Sequence, residues 1–528
     1  MNLAELLTRR AQEMPDAPAI IEGPAGRERT TTFAELDRAS QSVAAQLATS
    51  GMRCGDAALV VVPMSAALYA VLLGIFRSGF IAVIVDPAAG AAHIGRCLGL
   101  CPPHAFIAIP KAHLLRFVVP TLRTVPRKFT ITGWVPGAAR LRLDQQADAP
   151  IAAMTPDDPA LVTFTSGSTG EPKGVVRSHG FLLAQHRVLA HALQDRPGER
   201  DLTTLPIFLL GNLASGLVSV VPDADLRFPG RIAAAPVLDQ IARFAVERTG
   251  ASPAFVERLV EHCETTRSQL RGVKRLYVGG APVFPALMRR AQSLLPDGEF
   301  FAVYGSTEAE PIAHIGAHEI ATDDYDAMME GRGLLAGTPV PEIEVRVLPN
   351  RWGTALGPYT NTEFADTCLR AGAPGEIVVS GPHVIRGYLR GRGDAETKFD
   401  VAGIHWHRTG DIGYFDARGR LWLLGRCNAV VIDARGTLYP FAVETAALGV
   451  AGVRRAALAS MDGERWLLLE RLAGSKPDLS ALRECLRWAA LDRLELVTAI
   501  PIDARHNAKV DYTALAALVR RLKRKHDS

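Results

Sequence analysis

The sequence predicts an α/β protein in two unequal parts. A large N-terminal region of mostly parallel sheets with helices, carrying a small β-rich subdomain, spans residues 1–425, and a small C-terminal α+β domain spans residues 426–528. Three observations predict it. Between about Leu59 and Arg346, short β-branched runs alternate with longer helical patterns, as parallel sheets with crossover helices require. After Arg346 the texture changes to short strands punctuated by Gly and Pro, as in "GEIVVSGPHVIRGYL" and "RLWLLG". Beyond Gly425-Arg426-Cys427-Asn428, a compact unit runs to a basic helix, "ALAALVRRLKRKHDS", whose charges suit a solvated helix terminus.

The chain has 528 residues, too many for one simple core, and its 48% hydrophobic and 22% charged composition is that of a globular protein. A net charge of +4 against 59 basic and 55 acidic residues argues against nucleic acid as a partner. The first residues, "MNLAELLTRRAQEMPDAPAI", form an amphipathic helix ending near Pro15, with no signal-peptide apolar region. Ala57–Phe76 is uncharged for twenty residues, long enough to span a bilayer, but Pro63 and Ser65 interrupt it. It divides into a buried strand, "ALVVV", and a core helix, "SAALYAVLLGIFRSG", with "FIAVIVDP" as the next strand, so no stable membrane insertion is expected. The strands "AFIAI", "ALVTFT", "SVVP", "RLYVGG" and "FAVYGS" follow, several running straight into Gly, Ser or Thr. Ligands bind beyond such carboxyl ends in open α/β sheets. Seven scattered cysteines without a CxxC pair predict reduced thiols in a cytoplasmic protein; Cys97 and Cys101, one helical turn apart, suit packing better than metal.

The stretch "TFTSGSTGEPKGVV", Thr163–Val176, stands out. Six of the seven residues from Thr165 to Glu171 are Ser, Thr or Gly, and Lys173 follows. A flexible linker would sit in polar surroundings. This loop instead follows the apolar run "ALVTF" and precedes the periodic "FLLAQHRVLAHAL". Strand, small-residue loop and helix present N–H groups and hydroxyls to phosphate. The spacing is not that of a Walker A loop.

"TSGSTGEPKG" is similar to the signature loop of the adenylate-forming superfamily, which comprises acyl-CoA synthetases, adenylation domains and luciferases. The other motifs of that superfamily follow in order. "VGGAP" resembles its adenine-side turn and "VYGSTEAE" its Tyr-Gly-x-Thr-Glu motif. "HRTGDIGYFD" resembles its ribose-binding motif and "LGRCNAVV" its hinge. Five motifs in order do not arise by chance.

The resemblance implies the following roles. Thr165, Ser166, Gly167, Ser168, Thr169, Gly170 and Lys173 wrap the phosphates of ATP. Gly280, Ala281 and Pro282 flank adenine, and Tyr304, with Gly305 and Ser306, stacks on it. Thr307 contacts the α-phosphate, Glu308 offers an oxygen to Mg²⁺, and Asp411 accepts from the ribose hydroxyls beside Arg426. Asn428 takes the hinge position, where the family commonly has Asp or Lys, and makes the C-terminal domain mobile. Lys509, in "IPIDARHNAKVDYTAL", takes the place of the catalytic lysine, although Ala508 replaces the usual Gly before it. It is the only Lys between Lys476 and Lys523, in a chain with nine. The implied reaction is attack of a carboxylate on the α-phosphorus of ATP, giving acyl-AMP and pyrophosphate, with Lys509 and Mg²⁺ screening the anions.

In the acyl pocket, formed by Phe208, Leu209 and Asn212, amino-acid-activating relatives carry Asp after the aromatic residue and many CoA ligases carry His. Leu209 stands there instead. An ammonium buried against leucine would be costly, so an apolar carboxylic acid is expected. The block "LPIFLLGNLASGLVSVVPDADLRFPG" with "RHNAKVDY" is most similar to the β-lactone synthetases of bacterial olefin pathways, in which a β-hydroxyl displaces AMP. The abundance of thioester-forming relatives nonetheless favours a thiol acceptor, the phosphopantetheine of an acyl carrier protein or CoA. Lactone closure is the alternative, and a nucleotide-binding protein without catalysis is a third reading, against which Lys509 and Glu308 argue.

Overall fold

The computed structural model describes residues 1–166, 171–472, 474–502 and 509–527. Among these residues the largest sheet has 14 strands. Its centre is parallel: Pro18–Glu22, Val218–Val220, Arg200–Thr203, Arg248–Ala251, Arg275–Val278 and Glu299–Ser306 lie side by side in that order. Beyond Glu299–Ser306 the pairing turns antiparallel through Ala309–Gly316, Leu334–Pro339, Leu421–Arg426, Ile404–Phe415, Gly375–Ser380 and Glu344–Leu348. The β-rich subdomain expected after Arg346 therefore continues the main sheet.

A second sheet of seven strands runs Ala139–Arg140, Arg127–Thr130, Ala105–Ala108, Ala57–Val61, Ile81–Ile84, Pro159–Ser166 and Pro172–Ser178. Only the last pair is antiparallel. Every residue of Ala57–Val61 is buried, as a strand covered on both faces demands. The uncharged stretch divides where expected. The Ser65 hydroxyl accepts from the Leu68 N–H at 3.3 Å and starts the helix Ala66–Arg77. Gly74 lets that helix lie against Phe33–Thr49, because a Cβ there would meet Val43 Cγ1 at 2.6 Å. Among the described residues no helix is long and apolar enough to cross a membrane.

The phosphate loop differs from the expected strand–loop–helix. Pro172–Ser178 forms a second strand, paired antiparallel with Pro159–Ser166 so that Thr165 faces Lys173, before the helix His179–Ala192 begins. The alternating burial of "PKGVVRS", with Val175 fully covered, explains why this segment extends instead of coiling. The loop is thus the link of a hairpin. Residues 167–170, which include Gly167, Ser168, Thr169 and Gly170, lie outside the described residues, as does the side chain of Ser166.

The C-terminal region builds its own sheet from Val453–Met461, Glu464–Arg471 and Arg493–Val497. Trp466 is fully buried there and packs in one apolar cluster with Leu515 and Val519 of the helix Tyr512–Asp527. On the helix Pro440–Leu448, Glu444 is buried and accepts one hydrogen bond, from the Leu458 N–H at 3.0 Å. Burial pushes its carboxyl up to about 8.

The folded state therefore keeps a proton that the unfolded chain releases above its ordinary carboxyl pKa, ~4.3. Stability contributed by this group falls as pH rises from there to about 8, with a slope of up to ~1.4 kcal/mol per pH unit. Glu444→Gln should gain stability relative to the wild type between pH 5 and pH 8, read by denaturant unfolding. A difference that does not change with pH would show that Glu444 is ionised in the fold.

Candidate active site

The expected nucleotide residues converge where the strand Glu299–Ser306 ends. The Tyr304 hydroxyl donates to Asp411 Oδ2 at 2.9 Å, and Arg426 Nη1 donates to Asp411 Oδ1 at 2.9 Å and to the Thr409 carbonyl at 3.2 Å. The ladder makes this arrangement, because Asp411 and Arg426 are register partners on adjacent strands. Tyr512, at the start of the last helix, lies within electrostatic reach of Asp411 and Arg426. Burial pushes the hydroxyls of Tyr304 and Tyr512 well above the usual tyrosine range.

Beneath this group lies a buried ion pair. Arg408 Nε and Nη2 each donate to one oxygen of Glu376 at 2.7 Å, and Arg408 Nη1 donates to the carbonyls of Thr354 and Glu396 at 2.6 and 3.2 Å. Both side chains are essentially unexposed.

Glu308 and Thr307 sit beside Arg177, Tyr388 and two lysines. Glu308 Oε1 accepts from the Tyr388 hydroxyl at 2.8 Å, while Oε2 accepts from no donor among the described residues. Arg177, itself buried, donates to Thr163 Oγ1 at 2.7 Å and to the Thr307 carbonyl at 3.1 Å. Ser306 Oγ accepts from the Glu308 N–H at 3.3 Å. Lys173 Nζ donates to Glu396 Oε2 at 2.9 Å, and the ammonium groups of Lys173 and Lys398 lie 5.6 and 5.4 Å from the centre of the Tyr388 ring. Lys398 Nζ is 2.7 Å from the Ile385 carbonyl and 3.1 Å from His407 Nδ1. Burial, helped by Lys173 and opposed by Glu308 and Asp394, lowers Lys398 to about 7.

Lys509, exposed and next to the Ile502–Val510 bridge, lies close enough to Glu310 to act on its charge. Glu310 is the second residue of the strand Ala309–Gly316 and is half-buried; among the described residues no hydrogen bond or ion pair engages its carboxylate. Burial raises it to about 7, against the pull of Arg177 and Lys509.

The remaining expected residues divide. Gly280, with Ala281 and Pro282, follows the strand Arg275–Val278 at a φ of 82° that favours glycine. A Cβ on Gly305 would crowd the Ala309 carbonyl at 3.1 Å and the Glu310 side chain at 3.2 Å. Phe208, on the helix Pro206–Ser215, packs with Tyr277 and Val303 next to Tyr304. The structure places the other two residues expected in the acyl pocket in buried surroundings. Leu209 is wholly buried in the core. Asn212 turns its amide into a buried polar network, donating to Asp201 Oδ2 at 2.6 Å, Thr203 Oγ1 at 3.0 Å and Ser219 Oγ at 3.2 Å. The charges of Asp201 and Arg248 on neighbouring strands need these partners, so Asn212 serves the fold. Asn428 lies exposed in the 3₁₀ turn Cys427–Ala429. Sequence reasoning missed Arg177, Tyr388, Lys398 and Glu310; the scarcity of lysine was a signal for Lys398, and "GYL" held Tyr388 in plain view.

The chain is an adenylate-forming ligase. The family described as AMP-binding enzyme matches residues 7–389, and the chain belongs to it. Its similar relatives include the olefin beta-lactone synthetase of Stenotrophomonas maltophilia (strain K279a), 35% identical over 98% of this chain and 97% of that protein. That of Xanthomonas campestris pv. campestris is 33% identical, with the same coverage of both chains. Among solved structures, the amide bond synthetase McbA from Marinactinospora thermotolerans shares the fold with a TM-score of 0.78 at 22% identity, covering 98% of this chain and 99% of that one.

Tyr388→Phe takes one donor from Glu308. ATP–pyrophosphate exchange should fall by about tenfold, equivalent to ~1.4 kcal/mol, with little change in melting temperature. Unchanged exchange would mean that Glu308 needs no such support.

Proposed function

We propose that this chain is a β-lactone synthetase acting on an apolar β-hydroxy acid. The observation that carries the reading is its 35% identity to an olefin beta-lactone synthetase along almost the whole of both chains. Transfer to CoA or a carrier-protein thiol, the sequence-based expectation, ranks second for that reason.

In the first step a carboxylate oxygen attacks the α-phosphorus of ATP and the bond to pyrophosphate breaks. No base is required, because the acid is already ionised. Lys173, Thr165 and residues 166–170 grip the phosphates; Tyr304, Asp411 and Arg426 hold the nucleoside; Thr307 meets the α-phosphate. Lys509 brings its charge to the reacting oxygens. Mg²⁺, when bound, screens the phosphate charge. Glu308 Oε2 is the hard oxygen suited to hold it. Among the described residues no group of three or more His, Cys, Asp or Glu could hold a metal ion, which fits a cation that takes most of its ligands from phosphates and water.

In the second step the β-hydroxyl oxygen attacks the acyl carbon, the bond to AMP breaks, and the hydroxyl proton passes to a base. Glu310 is that base: it lies beside Lys509, and no protein donor among the described residues engages its carboxylate. Residues 426–528 turn about Asn428 against residues 1–425 between the two steps, carrying Lys509 with them.

Purified protein with ATP, Mg²⁺ and a medium- or long-chain β-hydroxy acid should give a product lighter than the acid by one water, without any thiol. A product formed only when CoA or a carrier protein is added would replace lactone closure with thioester formation. Lys509→Ala should slow adenylation by about 10²–10³-fold while ATP still binds, and near-normal pyrophosphate release would refute the role of this lysine.

Glu310→Gln should spare pyrophosphate release and slow lactone formation by about 10²-fold or more. A base raised to about 7 works when ionised, so closure in the wild type should speed up as pH rises through about 7 and then level off. The Gln variant should lose that rise. Equal pH profiles would remove Glu310 from the step.

A further inference from the structure

Between Asp86 and Asp144 the chain contains eight Lys or Arg residues and no Asp or Glu. This segment forms the outer edge of the seven-stranded sheet, the strands Ala105–Ala108, Arg127–Thr130 and Ala139–Arg140 with their connections. On the same edge Leu114, Phe117, Val118 and Trp134 are 60%, 71%, 60% and 80% exposed. They lie on two adjoining pieces of chain, the short helices Pro110–Leu114 and Leu115–Val118 and the turn around Gly133. Arg116 Nη1 joins these pieces by donating to the Pro136 carbonyl at 2.9 Å, and Gly133 abuts Pro110. Arg123 donates to the carbonyls of Arg116 and Phe117 at 2.8 and 2.7 Å. Two guanidinium groups are thereby fixed among the apolar side chains.

Among the described residues Arg116, Arg123, Lys128, Arg140 and Arg142 have no ion-pair partner within 4.0 Å, whereas Arg96 of the same segment reaches Glu171. Lys128 and His113 both face Arg116, with no acid on the segment to offset them. At the margins of the segment, His104 reaches Asp56 at 3.5 Å and Lys111 acts on the charge of Asp225. Leaving four large apolar side chains in water is unfavourable for a surface with no partner. Setting them in a field of one sign selects what that partner is.

We propose that this edge docks the enzyme on the surface of an anionic lipid bilayer. Phe117, Val118, Leu114 and Trp134 enter the headgroup boundary, and the neighbouring basic side chains meet lipid phosphates. Aromatic and aliphatic residues with Lys and Arg at their base are the chemistry of a protein that lies on a membrane without spanning it. Each basic residue near such a surface contributes about 1 kcal/mol, and salt screens that contribution. A protein partner would have to be acidic across the whole face, a condition the anionic bilayer meets at every point. The inference is independent of which acid is activated and of what accepts it.

The test is cosedimentation of the full chain with vesicles of phosphatidylcholine alone and of phosphatidylcholine mixed with phosphatidylglycerol. The wild type should partition onto the mixed vesicles and come off as salt is raised. Phe117→Ser combined with Trp134→Ser, and separately Arg140→Glu combined with Arg142→Glu, should each weaken partitioning about tenfold or more, with melting temperatures close to wild type. No binding, equal binding to the neutral vesicles, or equal binding by both double variants would overturn the proposal. A lipid-free oligomer of the wild type that the Phe117/Trp134 variant cannot form would overturn it too, by assigning the face to a second copy of this chain.

Discussion

The pair of Arg408 and Glu376 is the interaction on which the candidate site depends. It joins two strands of the main sheet with two parallel hydrogen bonds of 2.7 Å, and it spends a third donor on the Glu396 carbonyl. Thr409, Gly410 and Asp411 follow Arg408 directly, so the pair sets where the carboxylate of Asp411 stands. Glu396 anchors Lys173, and the neighbouring Thr397 and Lys398 meet His407. Breaking such a pair by removing one partner costs ~3–5 kcal/mol, because a buried charge is left alone. The nucleotide end and the phosphate end of the site thus share one buried support.

The sheet centre supplies the second constraint. Asp195, Asp201, Arg248 and Asn212 place opposite charges and an amide between parallel strands, and nearly every partner is itself buried. Charges in such a place must be matched closely. The helix that carries Phe208 is fixed by its own Asn212, four residues on, so the aromatic residue stands rigidly beside Tyr277 and Val303.

Much of this was legible in the sequence because the signals were local. Period-two and helical patterns marked the strands and helices, the break at Pro63–Ser65 divided the apolar stretch correctly, and the ordered motifs identified the family. Failures came where distant partners decide the outcome. "PKGVVRS" became a strand because Pro159–Ser166 was there to pair with it. The neighbours that hold Leu209 and Asn212 lie on other elements, which their place in a motif does not encode. Tyr388 meets Glu308 across 80 residues of chain, and Lys509 nears Glu310 across some two hundred, separations that no periodicity encodes.

Lys173 begins with a counter-ion already in hand, the carboxylate of Glu396 at 2.9 Å. In the phosphate-binding role proposed for Lys173, an arriving phosphate competes for an ammonium that is in use. The gain in binding is the difference between two pairings, and it is smaller than either. On that proposal Glu396 is placed to reclaim the largely shielded ammonium as the anion leaves. The carboxylate thereby acts as a built-in eluent, favouring turnover over retention of the anion.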